Sequence, residues 1–205
     1  MANSDTPWGY KPLFMEEAQR TAMLLPITIN YGTILGIQDP VTGVTAGTIE
    51  RAPVTGAILC CGVILGIYRQ ESPYSLQISK LLPIQYLPAS YGALIQHFAL
   101  VALDPNMFYA MQEDGDAVPL TDAMTFSNCD IIWTHTVNTT TGISKCEIDS
   151  NTMAVTATLA VRLIRPWMEY YDIDAGAYNV TNSANSKWIV KINNYQFQAN
   201  TLGLG

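Results

Sequence analysis

The chain has 205 residues, of which only 13% are charged; ten Lys and Arg against seventeen Asp and Glu leave a net charge of −7. Scattered cations and a negative balance exclude DNA or RNA as the main ligand, which needs clustered Lys and Arg. An apolar fraction of 49% excludes disorder of the whole chain, and the longest apolar run, over 57–67, is too short to span a bilayer.

Residues 1–25 read differently from the rest. No basic region followed by an apolar one opens the chain, so the sequence predicts no signal peptide, with synthesis in the cytoplasm and no export by that route. Trp8, Tyr10, Leu13 and Phe14 are interleaved with Pro7, Gly9 and Pro12. Such punctuation cannot hold a helix and suits an extended segment. Aromatic side chains on a proline-stiffened segment need something to bury them. The expectation is an arm that orders on a partner, with Pro7, Trp8, Tyr10, Pro12 and Phe14 as its contacts. A short helix is expected within 16–25.

From Pro26 onward the pattern is that of β-structure. Residues 27–32 alternate, 39–43 read as a turn, and 45–52 as a strand. Residues 57–69 make a long apolar strand or strand pair, with Gly62 and Gly66 marking bulges or close packing. Residues 70–95, rich in Pro and Tyr, read as a loop or insertion. Residues 98–103 and 107–111 are apolar on both parities around Asp104-Pro105-Asn106, a turn closed by side chains. They read as a hairpin covered on both faces at the centre of the fold. A short acidic helical turn is expected at 121–124, and strands at 131–136 and 145–149. The clearest strand spans 153–165, with Val155, Ala157, Leu159, Val161 and Leu163 on one face. A last strand covers 187–193. Many short strands without long helical patterns predict an all-β fold, an antiparallel β-barrel or β-sandwich of β-tulip or jelly-roll kind. It forms one domain over 26–205, behind the extended arm.

Candidate chemistry is thin. Nucleophile elbows, phosphate loops and zinc spacings are missing, so no catalytic residue, cofactor site or metal site is assigned and the chain reads as no enzyme. Cys60, Cys61, Cys129 and Cys146 read as free, buried thiols. Glu113, Asp114 and Asp116 could hold Ca²⁺ or serve as a glycosidase pair, but read more simply as a solvated turn, as do Asp172 and Asp174. His135 reads as a surface or cross-strand histidine. So little charge favours a permanent multimer or a lattice partner over a lone monomer.

Four stretches carry a resemblance in this order: Met1-Ala-Asn-Ser-Asp-Thr-Pro-Trp-Gly-Tyr-Lys-Pro at the start, Asp104-Pro105 with Met111-Gln-Glu-Asp-Gly, Thr140-Thr-Gly-Ile-Ser with Glu147-Ile-Asp-Ser, and Leu159-Ala-Val-Arg-Leu near Asn185-Ser-Lys-Trp-Ile-Val-Lys-Ile-Asn. Together they resemble the capsid decoration, or cement, proteins of tailed bacteriophages. The resemblance implies a non-enzymatic virion protein on the outer surface of the head. There it would clamp neighbouring copies of the major capsid protein, commonly as a homotrimer, with neither nucleic acid nor membrane as partner. An alternative of another class is a carbohydrate-binding β-sandwich on the virion surface, with Tyr91, Trp133, Trp167, Tyr170 and Tyr171 as stacking platforms. A weaker third is a virion-associated hydrolase using Glu113 and Asp116.

Overall fold

The computed structural model describes residues 3–53, 60–71, 81–91, 95–134 and 136–197. In chain order the strands are β1 (Lys11–Pro12), β2 (Ala22–Pro26), β3 (Pro40–Gly43), β4 (Ile49–Arg51), β5 (Gly62–Gln70), β6 (Leu81–Ile84), β7 (His97–Ala102), β8 (Tyr109–Gln112), β9 (Asn128–Ile132), β10 (Glu147–Ala154), β11 (Val161–Pro166), β12 (Tyr171–Asp172), β13 (Ala177–Tyr178) and β14 (Lys187–Ile192). A short helix, α1 (Met15–Arg20), follows β1, and a 3-10 turn covers Asp122–Met124 where the acidic helical turn is expected. The fold is all-β.

Two large antiparallel sheets carry it. The first has the order β1-β8-β14-β11-β9-β10. The second runs β2-β7-β5-β3-β4, with β6 on the far half of β5. β12 and β13 form a separate ribbon. Among the described residues neither sheet closes on itself, so the barrel alternative falls away. One buried cluster joins Tyr10, Tyr109, Met111, Val161, Leu163 and Trp188 of the first sheet to Val63 and Ala102 of the second. Another packs Ile64, Ile67, Ala99 and Val101 against Ile27, Leu35 and Leu87.

Residues 98–111 are not a hairpin. β7 lies between β2 and β5 in the second sheet, and β8 lies between β1 and β14 in the first. The turn chemistry holds: the Asn106 amide donates to Asp104 Oδ1 at 2.7 Å. The arms diverge because each is interior to its own sheet, and that also makes both of their faces apolar. Local pattern reports coverage but not the partner.

The expected strand over 153–165 is two strands. β10 ends at Ala154, Val155 is 91% exposed, and β11 starts at Val161. Asparagine side chains hold the intervening turn. Asn128 Nδ2 donates to Thr156 O at 3.0 Å, and Asn193 Nδ2 to Ala157 O at 3.0 Å and Leu159 O at 2.9 Å. Alternating Thr and Ala imitate a strand where tertiary hydrogen bonds impose a turn.

Three smaller expectations shift. Residues 39–43 hold β3 rather than a turn, and the reversal falls at 44–48, where Val44 N donates to Thr48 O at 2.9 Å. Part of the expected insertion over 70–95 is β6, a member of the second sheet. The boundary at 25/26 separates nothing. Residues 11–12 belong to the first sheet and 22–26 to the second, so the expected arm links both.

Candidate functional site

The N-terminal segment closes on its own first sheet. Lys11 and Pro12 pair with Ala110 and Tyr109, and Leu13 N donates to Phe108 O at 3.1 Å. Trp8 Nε1 donates to Ala110 O at 3.0 Å. Tyr10 is fully buried, edge-on to Tyr109 with ring centroids 5.4 Å apart. Gly9 has φ +70°, and a Cβ there would stand 2.6 Å from Gln38 O and from Ser144 Cβ. Only glycine fits that approach.

Ahead of Gly9, a buried polar network receives residues 4–6. Lys187, at the start of β14, has no exposed surface. Its Nζ donates to Ser4 O at 2.7 Å, Gln112 Oε1 at 2.7 Å and Asn185 O at 2.8 Å, using all three protons. Gln112 Oε1 also accepts from Thr6 N, and its Nε2 donates to Glu147 Oε1 and Asp5 Oδ1. Asp172, 2% exposed, accepts from Ser4 N at 2.9 Å and Ser4 Oγ at 2.6 Å, and lies 3.8 Å from Lys187 Nζ. Burial pulls the Lys187 pKa down to about 8, against the pull of Asp172. Burial alone would raise Asp172, but the Ser4 hydrogen bonds outweigh it and hold the carboxyl below its ordinary value. All three Lys187 protons and both Asp172 oxygens are hydrogen-bonded, as buried ions require.

The five expected arm contacts therefore divide. Tyr10 and Pro12 are buried in the chain's own core, and Pro7 and Trp8 are half-buried on it. Phe14 alone stays exposed, at 55%, beside a shallow hollow of about 270 Å³ that Phe14, Met107 and Phe108 help to line. An arm left loose for a partner is not what the structure has. Backbone and side-chain groups of residues 3–6 fasten it to Lys187, Gln112, Asp172 and Val180, a fit that leaves no trace in a hydrophobic pattern.

The acidic candidates also separate. Glu113 is fully buried rather than solvated. Its Oε2 accepts from Leu120 N at 3.1 Å, its Oε1 has no partner, and burial raises its pKa to about 7. Asp114 and Asp116 face the other way and meet Asp149, with carboxylate oxygens within 4.8 Å of one another. Asp114 Oδ1 is occupied by Ser150 Oγ at 2.9 Å. Asp172 is likewise buried and not a solvated loop residue, while Asp174 is exposed. The four cysteines are free and buried. His135 lies outside the described residues.

Of the five expected stacking aromatics, Trp167, Tyr170 and Tyr171 share one segment, and Trp8 joins them. The Tyr170 ring lies 5.3 Å from Trp8 and 5.0 Å from Trp167. Tyr91 and Trp133 are used elsewhere: Tyr91 Oη donates to Thr28 O at 2.8 Å, and Trp133 Nε1 to Asp39 Oδ1 at 3.2 Å.

The outer face of the second sheet carries a feature that the sequence pattern does not single out. Cross-strand pairs put Leu24, Leu100 and Gly66 in one row, and Pro26, Phe98, Tyr68 and Pro83 in the next. Directly opposed residues share a face. The other face holds buried Ala99 and Ile67, so these rows point outward. All are half-exposed or exposed, and none carries a charge. Leu24, Tyr68, Leu81 and Leu100 line a hollow of about 360 Å³ there. β2 is the edge strand beside it, and Met23 is 57% exposed. No known protein family matches this chain, nor does any curated protein or solved structure.

Proposed function

We propose that this chain is a structural protein of a tailed-phage virion, which sits on the outer surface of the capsid and clamps neighbouring major capsid subunits. The observation that carries the reading is the uncharged outer face of the second sheet, formed by Leu24, Pro26, Tyr68, Leu100 and Phe98. A contiguous apolar face on an edge-exposed sheet marks a surface meant to be covered. A capsid subunit is the cover that agrees with the sequence resemblance.

A shell packed with nucleic acid is under outward pressure. A clamp resists it by burying apolar area across subunit boundaries, each Å² contributing about 25 cal/mol. Repetition around a closed shell multiplies modest contacts. The scarcity of charge, 13% of residues, agrees with assembly as a trimer on that shell. The N-terminal segment enters this reading as part of the scaffold, with exposed Phe14 as its remaining contact.

The test adds purified protein to heads that lack it and measures occupancy. Wild type should saturate the heads, and Leu100→Asp should lose most occupancy while keeping its thermal melt. Full occupancy by Leu100→Asp would remove the sheet face as the contact, and heads that never take up wild type would end the decoration reading. Light scattering of the free protein reads the trimer separately.

A further inference from the structure

The segment that follows β11 displays aromatic rings on a rigid backbone. Trp167 N donates to Lys187 O at 2.9 Å, Tyr170 N to Trp167 O at 3.2 Å, and Asn179 N to Tyr170 O at 2.9 Å. The buried Asn179 side chain ties the turn down, its Nδ2 donating to Trp167 O at 3.2 Å and Lys187 O at 2.8 Å. Trp8 braces Tyr170 from below, and its own ring is occupied by Lys11 Nζ at 5.4 Å and Lys187 Nζ at 5.6 Å. Trp167 and Tyr170 pack against each other, ring centroids 5.0 Å apart and tilted by 37°, and both stay half-exposed. Tyr171 and Tyr178 follow on the β12–β13 ribbon, 49% and 63% exposed.

We propose that Trp167 and Tyr170 form a ledge that binds a neutral oligosaccharide. A pyranose has an apolar C–H face and a hydroxyl edge, and Tyr and Trp combine an apolar ring with a polar tip. The tips here are free: Trp167 Nε1 and Tyr170 Oη make no hydrogen bond among the described residues, whereas Trp8 Nε1 is bonded to Ala110 O. Rings held by a stapled backbone lose little entropy on binding. Glu169 beside the ledge is paired with Arg165 at 2.9 Å, Asp174 stands exposed, and the net charge is −7, so acidic glycans and nucleic-acid phosphates meet a net repulsion. The uncharged aliphatic surface suited to a protein partner lies elsewhere, on the second sheet. This site is independent of capsid attachment.

The experiment titrates the full chain with maltohexaose, cellohexaose and chitohexaose at millimolar concentrations, followed by calorimetry and tryptophan fluorescence. At least one should bind saturably. Trp167→Ala should weaken it by about tenfold or more, and Tyr170→Phe, which removes one hydroxyl and keeps the ring, by about threefold. Phe126→Ala, an exposed ring elsewhere, should leave binding unchanged. Absence of saturable binding by all three sugars overturns the proposal, as does affinity that survives both ledge substitutions. Loss of head occupancy in Tyr170→Phe without any sugar binding would assign the ledge to a protein partner instead.

Discussion

The Lys187 ammonium donates to the backbone carbonyl of Ser4 at 2.7 Å, across 183 positions of sequence. One end of the chain thereby completes the coordination of a charge set near the other end. The N-terminal segment is a structural ligand of its own sheet, and a buried lysine without those acceptors is expensive.

Deleting residues 1–14 removes Ser4 O from Lys187, both Ser4 donors from Asp172, and Tyr10 from the core. Breaking a buried charge network of this kind costs about 3–5 kcal/mol. The truncated protein should melt far below the full chain, or fail to fold. A truncated form that melts within about 2 °C of the full chain would show that the network contributes little.

Gly9 gives a sharper local test. Alanine there meets Gln38 O and Ser144 Cβ at 2.6 Å, on a backbone with φ +70°. Gly9→Ala should destabilise by about 2 kcal/mol or more, because clash and left-handed strain add. Gly47→Ala is the comparison: its φ is +73° but nothing lies within 4 Å of the added Cβ. It should cost about 1 kcal/mol, and equal denaturation midpoints for the two variants would contradict the close approach.

Some of this molecule was legible in its residues. Frequent turns and short apolar runs specify an all-β chain, and the Asp104 turn, the strand at 187–192 and the buried cysteines follow from local chemistry. Strand partners did not follow. Residues 98–103 and 107–111 look like two arms of one hairpin because burial on both faces reads the same in one sheet or two. The polar positions misled most. Glu113 and Asp172 occur in charged, turn-like stretches that resemble solvated loops, and Lys187 resembles a strand-end surface residue. Lys187 is held by Gln112, 75 positions away, and Asp172 by Ser4, 168 positions away.

The break at 155–160 makes the same point with a measurable contrast. Val155 and Leu163 sit on one face of an imagined strand, yet Val155 is 91% exposed and Leu163 is fully buried. Leu163→Ala should cost about 2–5 kcal/mol through lost burial and the cavity left behind. Val155→Ala should change stability by less than about 0.5 kcal/mol. Comparable shifts in chemical denaturation would restore a continuous strand.

Glu113 should leave its mark on pH dependence. Burial raises its carboxyl from 4.5 to about 7, and Oε1 has no donor to stabilise the ionised form. The folded state therefore holds this proton more tightly than the unfolded chain. The stabilisation is complete below about pH 4.5 and is lost as pH rises through 7. His97 opposes it: burial lowers its pKa, so its contribution is present above 6.5 and lost as pH falls further. A wild-type profile mixes these two with Lys187, Asp172 and the other buried carboxyls, and Glu113→Gln isolates the Glu113 contribution. The variant cannot ionise, so relative to wild type it should gain about 1–3 kcal/mol between pH 5 and pH 8. Chemical denaturation of both proteins at the two pH values measures that difference directly. A difference that stays constant with pH would mean that Glu113 titrates normally, and that its buried position is relaxed by water or by movement of the 113–120 turn.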